Sequence, residues 1–126
     1  MKEQQKLIIE KYIDAYNAFD IKGMTKNLNE NIVFENISNG KVDVRTEGIN
    51  DFTKQAESAK QYFMERNQTI DFWNFDEQKV TIEIDYKATL AIDLPNGLKV
   101  GDTLELKGKS EFDFEDLKII KITDKS

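Results

Sequence analysis

The chain has 126 residues, no cysteine, no histidine and a formal net charge of −6. Its 39% hydrophobic and 33% charged content is that of one globular domain with a real core, spanning residues 1–126. Without cysteine there is no disulfide, thiolate chemistry or thiolate zinc site, and without histidine the usual general base near neutral pH is missing. The acidic balance, with lysines scattered among acids, argues against a nucleic-acid partner.

The elements follow in chain order. Leu7, Ile8, Ile9, Tyr12, Ile13, Tyr16 and Phe19 lie on one helical stripe. Asp20 can cap a second short helix carrying Met24 and Leu28 inward, ended by Asn29–Asn31. Ile32–Ile37 predicts a strand, broken by Ser38–Gly40. A third helix follows Gly48, with Asn50 as its cap and Phe52, Ala56, Ala59 and Phe63 facing inward beside Tyr62. Thr69–Phe75 predicts an aromatic-rich strand that turns at Asn74–Gln78.

The most regular signal comes next. From Val80 to Leu94 the even positions are apolar or aromatic and the odd ones mostly polar, which predicts a long strand with one buried face. The even phase resumes in Leu98, Val100, Leu104, Leu106, Phe112 and Phe114. A three-residue loop, Pro95–Gly97, pairs even with even positions and keeps the two faces consistent, whereas a two-residue loop would not. Asp102 breaks the apolar phase, which places it at a bulge beside Gly101, at the sheet edge or at a pocket mouth. A last strand is predicted over Leu117–Ile122.

The segments LIIEKYIDAYNAFDIKGM, NENIVFENI and EGINDFTKQAESAKQYF, followed by the long strands, resemble the nuclear transport factor 2-like superfamily. That superfamily is also called SnoaL-like or ketosteroid isomerase-like, and the resemblance covers essentially the whole chain. It implies an α+β, cone-shaped roll. Three N-terminal helices pack in a strongly curved, mostly antiparallel sheet, with a pocket at the wide end (a cystatin-like, nuclear transport factor 2-like fold). It further implies a homodimer through the outer sheet face. Function does not follow, since members include isomerases, dehydratases, hydrolases, cyclases and binding modules. In ketosteroid isomerases a helix-one tyrosine and a late-strand aspartic acid form an oxyanion hole, and a first-strand aspartate is the base. The matching positions here are Tyr12, Ser110 and Asn36. An amide cannot serve as that base, and a serine is a weaker donor than a tuned carboxylic acid, so steroid-type isomerisation is not expected.

The leading expectation is a small, largely apolar ligand in the cone pocket. Its contacts are expected to be Tyr12, Tyr16, Phe34, Asn36 and Phe52 from the first half of the chain, and Phe63, Trp73, Tyr86, Ser110 and Phe112 from the second. For Tyr12 and Tyr16 the alternative is ordinary core packing, for Trp73 a core or dimer-interface role, and for Asn36 a hydrogen bond to a helix end. An enzymatic alternative is a lyase, isomerase or cyclase with Tyr12 as donor and Glu35 or Asp102 as base, which requires one of these carboxylates to face inward. A third is a protein-interaction module using the outer sheet face, disfavoured by that face's charge. Glu111, Asp113, Glu115 and Asp116 read as a solvated face rather than a cation site, and Arg45 reads as the partner of Glu47. No metal and no cofactor are expected. No apolar run reaches membrane-spanning length and no signal peptide is expected, so a cytoplasmic protein without a membrane partner is anticipated.

Overall fold

The computed structural model describes residues 2–126. The elements are α1 (Lys2–Asn17), α2 (Ile21–Thr25), β1 (Leu28–Ser38), β2 (Lys41–Glu47), α3 (Ile49–Lys60), β3 (Phe63–Asp76), β4 (Lys79–Leu90), β5 (Thr103–Glu115) and β6 (Lys118–Lys125). The strands form one sheet in the order β2-β1-β6-β5-β4-β3. Only β1 and β6 are parallel, so the expected α+β roll with a mostly antiparallel sheet is observed.

The even-phase register holds. Val80 pairs with Phe112, Ile82 with Ser110 and Tyr86 with Leu106. Ser110 and Phe112 pair in turn with Asp124 and Ile122. The resulting inner face, with Val80, Ile82, Phe112 and Ile122 fully buried, packs on Ile9, Tyr12 and Ile13 of α1. Burying one face this completely is what makes the register specific, since a one-residue slip would turn every apolar side chain outward.

Several expectations need correction. Regular pairing stops at Leu90 and resumes at Thr103, although Leu94 and Leu98 remain bonded across the expected three-residue loop (2.7 Å). Leu28 is buried but begins β1 instead of ending a helix, and β2 is a strand that the sequence pattern did not reveal. Helix α3 stops at Lys60, so Phe63 belongs to β3. Asn50 does not cap α3. Gly48 occupies that position at a left-handed φ of 89°, which glycine adopts without strain. On α1, Leu7 is exposed, and Gln5 is buried in its stead, donating to the Glu77 carbonyl (2.9 Å). Asp20 caps α2 as expected, accepting from the Gly23 amide at 3.1 Å.

Candidate functional site

Between α1, α3 and the concave sheet face lies a cavity of about 440 Å³ with a mainly apolar lining. Each element sends in the residues that its period allows. Tyr12 and Tyr16 are one turn apart on α1, Phe34 and Asn36 alternate on β1, and Phe52 and Ala56 are one turn apart on α3. Phe63, Arg66, Gln68, Tyr86, Ser110 and Asp124 close the sheet side. Eight of the expected ligand contacts are therefore at the cavity: Tyr12, Tyr16, Phe34, Asn36, Phe52, Phe63, Tyr86 and Ser110.

Two expected contacts are elsewhere. Trp73 stacks on Phe75 (centroids 5.6 Å apart, 4° between planes) beside the start of α1, where Lys6 lies over its ring. Phe112 is fully buried behind Tyr12 in an edge-on contact at 5.8 Å and does not reach the cavity.

Neither carboxylate of the enzymatic alternative enters the cavity. Glu35 is on the opposite face of β1 from Asn36, paired with Arg45 and with Lys121 (3.7 Å). Asp102 sits in the exposed β4–β5 tip, where its carboxylate accepts from the Lys99 amide at 2.9 Å. Arg45 also lies 3.7 Å from Glu47, the expected partner.

The carboxyl that does enter the cavity is Asp124, which the sequence reading left beyond its last strand. Ser110 donates to it at 2.7 Å from the neighbouring position on β5. The residue is half-buried, with its carboxyl closely surrounded by protein. Burial pushes its pKa up from 3.8 to about 6, opposed by the Ser110 hydrogen bond. A signal for it existed: Asp124 has the same strand phase as Ile122, so extending β6 by one step of two residues would have placed it inside.

The phenols around this acid are held as donors. Burial raises the pKa of Tyr12 well above its ordinary value, and the Asp124 charge adds to this. Burial likewise raises Tyr16 and Tyr86. Tyr16 donates to the Tyr86 hydroxyl at 3.1 Å, which leaves the Tyr86 proton for another acceptor. The Tyr12 hydroxyl makes no hydrogen bond among the described residues. Asn36 lines the cavity, and its side-chain amide makes no hydrogen bond among the described residues.

The outer sheet face carries ion pairs, such as Lys107–Asp85 (2.6 Å) and Lys125–Glu111 (2.9 Å). No group of acids able to hold a metal ion occurs among the described residues. No helix of the described residues is long and apolar enough to cross a membrane.

A family model for the SnoaL-like domain matches residues 9–122. The chain belongs to this family. No curated protein is significantly similar in sequence. Among solved structures, it resembles a polyketide cyclase candidate from Xanthomonas campestris pv. campestris, with TM-score 0.82, 19% identity, and 98% and 90% of the two chains covered. It also resembles AclR, a hydroxylase candidate from Streptomyces galilaeus, with TM-score 0.77, 20% identity, and 97% and 87% covered. A third is IdmH, a polyketide cyclase candidate from Streptomyces antibioticus, with TM-score 0.80, 12% identity, and 96% and 90% covered. At these identities the likeness establishes the SnoaL-like fold.

Proposed function

We propose that the cone binds a small, largely apolar carbonyl compound and that Asp124 moves a proton on it, the chemistry of an isomerase or cyclase. The observation that carries this is a carboxyl with a pKa of about 6 in a mainly apolar cavity. Such a group is mostly ionised near neutral pH, yet basic enough to remove a proton from a carbon beside a carbonyl. The electron pair released moves onto the carbonyl oxygen. Tyr12, kept protonated by burial, supplies a hydrogen bond to the enolate oxygen. The enolate carbon then attacks a second carbonyl within the molecule, closing a ring, or takes a proton back at another carbon. Asp124 returns the proton in either case. The naming of several structural relatives as polyketide cyclases supports this class. The superfamily resemblance implies a homodimer through the outer sheet face, which sedimentation analysis of the purified chain tests.

The test is α-carbon exchange. A cyclic monoketone of about the cavity's size is incubated in D₂O with the wild type and with Asp124→Asn, and deuterium uptake is followed by NMR. Uptake above buffer rate that disappears in Asp124→Asn is expected. Binding without Asp124-dependent exchange would make the protein a ligand carrier instead.

A further inference from the structure

Arg66 lies on the inner face of β3 and lines the cavity, yet it is 4% exposed and pairs with no carboxylate among the described residues. A guanidinium cannot lose its charge at any ordinary pH, so burying it without an anion is costly. The surroundings hold it in place without neutralising it. Its Nε donates to the Tyr16 carbonyl at 2.8 Å, and its plane lies over the rings of Tyr16 (3.7 Å) and Phe19 (4.5 Å). Phe19 is placed there by an unusual chain end. At the C-terminus of α1 its amide bonds to Tyr16 O (3.2 Å) and that of Asp20 to Ala15 O (2.8 Å), a closure in which the left-handed residue is usually glycine. Here Phe19 takes it, at φ 58°, a conformation unfavourable for a residue with a β-carbon. The strain buys an aromatic cover for the arginine.

The remaining guanidinium donors are unused. Nη2 is buried without any partner, and so is the Gln68 side-chain oxygen two residues along the same face. The nearby phenols offer donors: Tyr16 gives its proton to Tyr86, and the Tyr86 proton is unassigned. The Arg66 charge reaches Tyr12, Tyr16 and Tyr86 alike, opposing the effect of burial on each. Asp124, the one acidic side chain at the cavity wall among the described residues, sits on Ser110 and is not Arg66's partner. Arg66 therefore brings a buried positive charge with unused donors to the cavity, and no carboxylate among the described residues pairs with it.

We infer that the ligand is an organic anion whose carboxylate or acidic enolate oxygen seats on Arg66 and Tyr86, with its apolar body extending toward Asp124. This rests on the cone being a small-molecule site and adds the substrate's charge class. A hydroxyl adjacent to the anionic group would satisfy Gln68 Oε1.

The test compares 1-naphthoate with the neutral, nearly isosteric 1-naphthamide, by titration calorimetry on the full chain at neutral pH. The wild type is expected to prefer naphthoate by about tenfold or more, the worth of a hydrogen-bonded charge pair. Arg66→Gln should erase the preference, Arg66→Lys should keep part of it, and Asp124→Asn should retain it. Equal binding of the two probes by the wild type, or an undiminished preference in Arg66→Gln, overturns the inference while leaving Asp124 exchange intact. If Arg66→Gln does not fold, the Arg66 Nε–H NMR signal of the wild type decides. A shift with naphthoate and none with naphthamide is expected, and no shift with naphthoate overturns the inference. Failure of both probes to bind at millimolar concentration overturns this inference and the small-molecule reading together.

Discussion

The two ends of the cavity solve the problem of a buried charge in opposite ways. At the β5–β6 end, Asp124 has a serine hydroxyl as its hydrogen-bond partner, and burial moves its pKa to about 6. At the α1–β3 end, Arg66 cannot titrate away its charge, so it is stacked between rings and left with unused donors. Had the two been placed in contact, each would have quenched the other, giving a structural ion pair with neither a mid-range acid nor a free cation. Keeping them apart leaves a carboxyl with a pKa of about 6 on one strand and a guanidinium with unused donors on another.

The comparison can be broken most severely at its acidic end. Asp124→Asn should reduce α-carbon exchange by about a hundredfold or more, measured by deuterium uptake. The same substitution should make the fold more stable at neutral pH. The folded state binds the Asp124 proton more tightly than the unfolded chain does. Its contribution is therefore most favourable below the unfolded pKa of 3.8, falls as pH rises toward about 6, and is flat above. A gain of about 2 kcal/mol in urea unfolding is expected at neutral pH, and little gain below the unfolded pKa. No gain would mean that the carboxyl is better solvated than its enclosure implies.

At the other end, Gln68→Glu supplies the missing carboxylate beside Arg66. Naphthoate affinity should fall about tenfold or more, while naphthamide is affected less. The wild-type exchange rate should rise with pH as Asp124 ionises, with an apparent pKa of about 6, and then level off. Smallest of all, Ser110→Ala removes the hydrogen bond that opposes burial, so the Asp124 pKa should move further up by about one unit, read by carboxyl NMR.

Much of the scaffold was legible before any coordinates. Even-with-even pairing of β4 and β5 follows from strand alternation and loop length alone, because both are local rules. Phe34 and Asn36 share a face for the same reason, and Tyr12 and Tyr16 follow from helical spacing. The failures come where the alternation is interrupted or continued unseen. A register shift between Ile70 and Phe72 changes which residues of β3 face inward. Arg66 and Gln68 line the cavity before it, whereas Trp73 and Phe75 pack beside α1 after it. β2 escaped notice because its residues are largely exposed along a sheet edge, so no buried face declared it. Asp124 was missed because β6 runs three residues past its last isoleucine.

The sequence by itself determined the class of fold, the sheet face that turns inward and the presence of phenols on the helix that faces it. These depend on periodicity, which every residue reports locally. Only the tertiary structure decided which charged groups share the enclosed space. Arg66 and Asp124 are far apart in the chain and on different strands, and nothing in their neighbours along the sequence announces a meeting. Their placement depends on the irregularities in β3, the length of β6 and the curvature that folds both over α1, and none of these is written in a local pattern.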